Sequence, residues 1–292
     1  MSFVPTPPER NVAKSVWLHR MLSLEFILGA FLTGTLGLLV LFSAVLFPDG
    51  GETMSLADRL NPPFESWSNI FGTDPLGRDI LARVIVGGKI SFMVGITAAI
   101  GSVIIGTFFG LVAGYYSGWW NVFLMRFADV QLALPFILLA MTVIAIFGPG
   151  LDRMIILMIV SQWVQYARLV RGLVLSLRER EYVLAARSYG LPDRKILFGH
   201  ILPNVLGPII ILMTLNVATN ILLESSLTFL GLGIDPLTPS WGGILADGRG
   251  YVQTAWWVTV FPGLAIMLTV LGLNLLGDWL RDVLDPLGAT SR

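Results

Sequence analysis

The chain has no cysteine and only two histidines, His19 and His200. That excludes a disulfide framework, a thiol nucleophile and a Cys/His metal cluster, and it says nothing about compartment. Charge is scarce as well: Asp, Glu, Lys and Arg make up 13% of the residues, about half the quarter usual in a soluble domain. Net charge is zero, so the concentrated cationic surface that a nucleic acid partner requires is missing. No Gly-x4-Gly-Lys-Ser/Thr phosphate loop occurs, which places any ATP chemistry on another chain.

What the chain has in abundance is apolar sequence, 55% of residues with a mean hydropathy of +0.77. A bilayer is the implied solvent, and an all-α membrane protein the implied class. Six segments reach or approach the about 20 apolar residues that cross a hydrocarbon core: Phe26 to Phe47, Ile90 to Gly114, Val130 to Phe147, Met154 to Leu175, Val205 to Leu223 and Trp256 to Leu276. The first is too long for a signal-peptide core and reads as an uncleaved span. The fourth is the weakest, with Arg168 and Arg171 in its last turns, where long side chains snorkel to headgroups. Of the 19 Lys and Arg residues, only Arg59, Arg78, Arg83, Lys89, Arg153 and Arg249 fall outside if the N-terminus is cytoplasmic. The excess on the other side predicts that both termini are cytoplasmic. The expected organisation is a cytoplasmic tail and short interfacial helix near Trp17 over residues 1–23, a first span with a large extracytoplasmic loop over 24–89, and a five-helix core over 90–292.

One polar island interrupts the apolar pattern, REREYVLAARSYGLPDRKILFGHILP at 178–203, on a cytoplasmic loop by this topology. Residues 178–189 lack internal Gly and Pro, Gly190 suits a left-handed C-terminal cap, and Pro192 with Asp193 suits a first helical turn. Two short helices joined at a sharp bend are predicted. Small residues at Ala185, Ala186 and Gly190 would let another protein's backbone approach closely; an ordinary solvated loop is the alternative.

Three other stretches stand out. Span two has Ala98, Ser102, Gly106, Gly110, Gly114 and Gly118 at every fourth position, a packing stripe. Each four-residue step overshoots a turn by about 40°, so no single partner helix is expected to cover all of it. Span five has Asn216, Asn220 and Glu224 on one face, candidates either for a transport path or for helix packing. Asp74, Arg78 and Asp79 surround a Pro-Leu-Gly turn, where they would pair locally or touch an external protein.

The island resembles the cytoplasmic coupling motif of permease subunits from ATP-binding-cassette (ABC) importers: Glu-Ala-Ala, three residues, Gly, nine residues, Ile, one residue, Leu-Pro. Ala185, Ala186, Gly190, Leu202 and Pro203 match it. Leu184 stands where that motif has glutamate, with Glu181 nearby as a substitute, and His200 stands in place of the isoleucine. GTDPLGRD at 72–79, SLTFLGLG at 226–233 with PSWG at 239–242 and LADGR at 245–249, and NLLGD at 274–278 with LRD and LDP after it resemble phrases of one subfamily, the second permease of dipeptide, oligopeptide and nickel importers. The resemblance spans residues 72–286.

It implies a type I ABC importer permease fold with six transmembrane helices in a bacterial or archaeal cytoplasmic membrane. It implies a second homologous permease, two ATPase subunits that hold ATP and Mg, and an extracytoplasmic substrate-binding protein, with no cofactor on this chain. ATPase coupling then falls to Glu181, Leu184, Ala185, Ala186, Gly190, Leu202 and Pro203, and outer gate or binding-protein contacts to Asp74, Arg78, Asp79, Gly231, Gly233 and Trp241. Peptides are the expected substrate. An ion- or proton-coupled secondary transporter is the competing class, but it calls for ionisable groups at mid-span and related halves, and neither is visible. A membrane-embedded hydrolase would need a convergent nucleophile and base, also absent.

Overall fold

The computed structural model describes residues 23–284 apart from 117, 236 and 237. The tail, the interfacial helix near Trp17 and the end of the LDP phrase lie outside those residues. The regular structure of the described residues is all helical, apart from one isolated bridge between Thr73 and Asp79.

Helix α1, Leu24–Leu41, is capped by Ser23, whose hydroxyl accepts from the Phe26 N–H. The first apolar segment breaks at Phe42, and a single further turn, Ser43–Leu46, precedes Pro48. An irregular loop then leads to α2, Ile80–Tyr116, a 37-residue helix about 55 Å long. It starts ten residues before the expected boundary, so the division between 24–89 and 90–292 cuts through it. Hydropathy misses those first turns because they are buried in protein rather than lipid: Ile80, Ala82, Arg83, Val84 and Ile85 are all buried.

The expected third span is two helices, α3 at Gly118–Ala133 and α4 at Phe136–Phe147, bent 83° to each other. Pro135 sits at the break, and proline both forbids a helical conformation to the residue before it and lacks an N–H to donate. Helix α5, Leu151–Leu177, follows, then the short α6, Glu181–Ser188. The second half of the island is not a separate helix. Asp193–Ile196 continues through a π turn at Leu197–Ile201 into Leu202–Phe229, and together they form α7, Asp193–Phe229. Two helices complete the chain, α8 at Trp241–Gly248 and α9 at Trp257–Leu284.

Among the described residues four helices, α1, α2, α7 and α9, are long and apolar enough to cross a membrane, and the bent α3/α4 pair makes a fifth if it is one span. Helix α5 has the length but not the composition. It packs along α2 more extensively than any other helix pair in the structure, with Gln162 buried and Gln165 and Arg168 left exposed. The small-residue stripe makes that possible. A Cβ added at Gly106 would lie 2.5 Å from the Tyr166 Cβ, at Gly110 2.7 Å from the Val170 Cβ, and at Gly114 2.7 Å from the Val174 Cβ. Ala98, higher on the stripe, clusters with Met154, Leu157 and Met158 of the same helix. One partner therefore follows the stripe from Ala98 to Gly114, contrary to the expectation that it would drift off; Gly118 lies beyond, opening α3. Helix α1 packs chiefly on α9, through Gly29 against the Gly272 carbonyl, and is otherwise largely exposed.

Candidate functional site

The bend at the end of α6 closes as a Schellman motif, with the Leu191 N–H donating to Ala186 O at 3.2 Å and the Gly190 N–H to Arg187 O at 3.0 Å. Gly190 has φ +73° and open space where a Cβ would be, so its requirement is conformational rather than steric. The two alanines of the motif face opposite ways. Ala186, with Val183, is buried in a cluster with Tyr115, Val170, Ile196 and Ile201, while Ala185 is exposed. Glu181, Tyr182, Leu184 and Tyr189 share the exposed side, Tyr189 at 86%. Leu202 is half-buried, and Pro203, exposed, follows the π segment directly; having no N–H, it cannot continue the bond pattern in which the Leu202 N–H donates to Leu197 O.

Three side chains from this region converge on the end of α2. The Tyr115 hydroxyl donates to Asp193 Oδ1 at 2.7 Å, the Arg187 guanidinium lies 5.3 Å from the Tyr115 ring centroid, and Arg178 Nη1 donates to Gly114 O at 3.2 Å. Cations are favoured there because the last carbonyls of a helix carry partial negative charge.

The stripe on α7 is buried within this chain. Asn216 donates to the Tyr166 hydroxyl at 3.0 Å; Asn220 donates to Gly95 O at 3.1 Å and accepts from Gln162 Nε2 at 2.6 Å. Glu224, with no exposed surface, accepts from Ser91 at 2.9 Å, Thr228 at 3.0 Å and Ser225 at 3.2 Å. A ladder of polar groups thus ties α7 to α5 near its middle and to α2 further along. Hydroxyls and amides make its bonds, while the Gln162 Oε1 is buried without a hydrogen-bond partner. Buried polar networks of this kind specify one packing arrangement, and losing one partner strands the other.

At the opposite end of α2 lies a second polar cluster. Asp74 Oδ2 accepts from Arg78 Nε at 2.6 Å and from Arg83 Nη1 at 2.7 Å, and Asp247 Oδ2 accepts from Arg83 Nη2 at 3.0 Å and Arg78 Nη2 at 3.2 Å. Asp74 Oδ1 also accepts the Leu76 and Arg78 backbone N–H groups. Asp79 stands apart from the ion pairs and caps α2, accepting from the Leu81 and Ala82 N–H groups at 3.2 Å each. Burial pushes its carboxyl above the ordinary range, against the pull of those donors.

Asp74 and Trp241, expected among outer contact residues, are wholly buried, so neither reaches an approaching protein in this conformation. Trp241 donates its indole N–H to Val84 O at 2.7 Å. Gly231 is exposed with φ +78°, while a Cβ at Gly233 would fall 2.4 Å from the Thr228 Cα. The phrases at 72–79 and 245–249, far apart in sequence, are bonded to each other.

Arg83, Ser91, Tyr115, Gln162 and Tyr166 went unmarked by the sequence. Gln162 and Tyr166 carried a faint signal, polar groups four residues apart inside an otherwise apolar segment. Ser91 and Tyr115 carried none, since their partners lie 133 and 78 residues away; Arg83 has one partner nine residues off, Asp74, and one 164 away, Asp247.

Residues 106–287 match the family described as the binding-protein-dependent transport system inner membrane component. The chain is 41% identical over 287 residues to a dipeptide transport system permease protein, DppC, of Alkalihalophilus pseudofirmus, covering 97% of this chain and 93% of that one. It is 45% identical over 248 residues to glutathione transport system permease proteins, GsiD, of Escherichia coli and Shigella boydii, covering 84% of this chain and 81% of theirs. Residues 106–287 take in the bend, the α5 and α7 members of the polar ladder and the Asp247 side of the ion cluster. The chain belongs to the family of inner-membrane permeases of binding-protein-dependent ABC importers.

Proposed function

We propose that this chain forms half of the translocation path of a peptide importer. It pairs with a second, homologous permease, receives substrate from an extracytoplasmic binding protein, and is driven by two separate ATPase subunits that hold ATP and Mg. Helix α6 is the docking element. The observation that carries this reading is its two-sidedness: Val183 and Ala186 anchor it to the bundle, while Glu181, Leu184, Ala185 and Tyr189 are left free for a partner. The small Ala185 between larger neighbours lets a partner backbone come close, and Leu184 makes that contact more apolar than a glutamate would.

Helix α5, shielded by α2 and α7, serves as the remaining span. With α3/α4 taken as one span this gives six, and the excess of Lys and Arg on the α6 side places that end and both termini in the cytoplasm. The ion cluster and α8 then lie at the extracytoplasmic end, where Gly231 and Gly233 shape an outer gate. Asn216, Asn220 and Glu224 border the path, sealed in this conformation by the ladder. Peptide is the substrate class because relatives over most of the chain are named for dipeptide and glutathione, both built on peptide bonds. Family membership removes the secondary-transporter reading.

The test is purification of the intact complex from native membranes, identification of the binding protein's ligand by mass spectrometry, and ATPase measurement in proteoliposomes. Recovery of two ATPases, and hydrolysis stimulated by the peptide-loaded binding protein, are expected. Recovery of the chain without any ATPase would defeat the proposal.

A further inference from the structure

Helix α6 is continuous along the chain with α7, yet α7 is a poor rod at that end. It passes through a π turn at Leu197–Ile201 and then contains Pro208, two interruptions of the hydrogen-bond ladder within about three turns. Helix α2 is its opposite: 37 residues without proline, clamped along α5 by backbone-close contacts at Gly106, Gly110 and Gly114. Gly114 and Tyr115, in its last turn, are held by Arg178, Arg187 and Asp193. Its first turns reach α8 and the ion cluster through Arg83, the Val84 carbonyl and Ser91, whose hydroxyl also receives the Trp241 N–H at 3.4 Å.

From this we infer that Tyr115 is a positioning residue for energy coupling: it seats the bend on α2, so that α2, not the covalently linked α7, carries displacement of α6 to the far end. The hydroxyl fixes the start of α7 through Asp193 and the ring fixes α6 through Arg187, so both arms of the bend move with one residue of α2. Tyr115 is buried and faces no partner surface, which separates its role from docking. The inference rests on the docking role proposed for α6.

The experiment uses the reconstituted complex with its binding protein, with dialanine or reduced glutathione as probe, whichever stimulates hydrolysis by the native complex. Tyr115→Phe keeps the ring under Arg187 and removes the bond to Asp193. Transport per ATP hydrolysed should fall about fivefold or more, the range of a typical coupling free energy. Asp193→Asn, which keeps an acceptor oxygen, should retain the native ratio, and Asp193→Ala should behave like Tyr115→Phe without adding to it. A merely structural role would lower yield and melting temperature and leave the ratio alone, which would overturn the inference. Gly190→Val serves as the control on docking. If it uncouples and Tyr115→Phe does not, only the role of Tyr115 falls; if neither changes the ratio, the docking reading falls with it.

A second measurement does not depend on the variants assembling normally. The absence of cysteine allows spin-label pairs at Arg194 with Tyr116 and at Arg194 with Ile210, all exposed positions. Between nucleotide-free and vanadate-trapped complexes the 194–116 distance should hold and the 194–210 distance should change. A shift in the first, or constancy of the second, overturns the inference.

Discussion

Replacing Asp74 by Asn tests whether the ion cluster holds the loop before α2 to the bundle. The two carboxylate oxygens do different work: Oδ1 receives two backbone N–H groups, at 2.8 and 2.9 Å, and Oδ2 receives two guanidinium N–H groups, at 2.6 and 2.7 Å. An asparagine has one acceptor oxygen. Whichever way its amide is turned, the NH2 group meets donors, so two of the four bonds become donor against donor. The Arg83 side chain, 4% exposed, keeps only Asp247 to balance its charge. Removing one partner of a buried pair costs about 3 kcal/mol or more, whereas Asp247, 42% exposed, contributes about 1 kcal/mol at most. At about 2–4 °C per kcal/mol, Asp74→Asn should lower the melting temperature by roughly 6–12 °C and Asp247→Asn by about 4 °C or less. Fluorescence-detected thermal unfolding of the purified chain in detergent measures both. Equal shifts for the two variants would refute the reasoning, because they would mean that the burial of Asp74 has no energetic consequence.

Gly190→Val should insert into the membrane and fold, since no atom lies near its Cβ, but holding valine at a left-handed φ costs about 1–2 kcal/mol and should uncouple hydrolysis from transport; Gly190→Asn should restore coupling. Gly106→Ala brings a methyl 2.4 Å from the Trp163 carbonyl oxygen, which should force α2 from α5 at about 1–3 kcal/mol. Gly37→Ala, with nothing within 4 Å, should be neutral or slightly stabilising in the same unfolding assay. Leu184→Glu lies on the exposed side of α6 and should leave stability within about 0.5 kcal/mol. It should make retention of the ATPase in pull-downs more salt-sensitive, and unchanged salt dependence would show that no partner cation awaits a carboxylate there.

The features readable from sequence were those decided by neighbours along the chain. Gly190 could be assigned a positive φ because a run of helix formers ends there and Pro192 follows at once. The span on α9 and the core of α2 were readable because lipid selects for continuous apolar sequence. Where protein rather than lipid covers a helix, the signal weakens: the first ten residues of α2 leave no trace in the hydropathy, and α5 gives only the weakest of the six apolar segments. The bend at Pro135 lay inside an apolar run and was passed over in favour of length. Within the candidate site, Ala185 and Ala186 were visible as a motif, but which of them faces outward depends on where α6 sits against Tyr115 and Val170. The ladder on α7 was half visible, its Asn and Glu spaced at one turn, while its partners on α2 and α5 could be found only once those helices were side by side.

The ion cluster also sets a clock on biogenesis. Arg83 and Asp247 are 164 residues apart, and a ribosome adding about 5–20 residues per second needs roughly 8–33 s to cross that interval. Throughout it, the Trp241 and Trp257 indoles that lock onto the Val84 and Thr73 carbonyls have yet to be made. The loop before α2 can form its local bonds, Asp74 with Arg78 and Arg83, but lacks its long-range fastenings until α8 and α9 emerge. The long-range bonds that hold this end of the bundle together are thus among the last that a newly made chain can form.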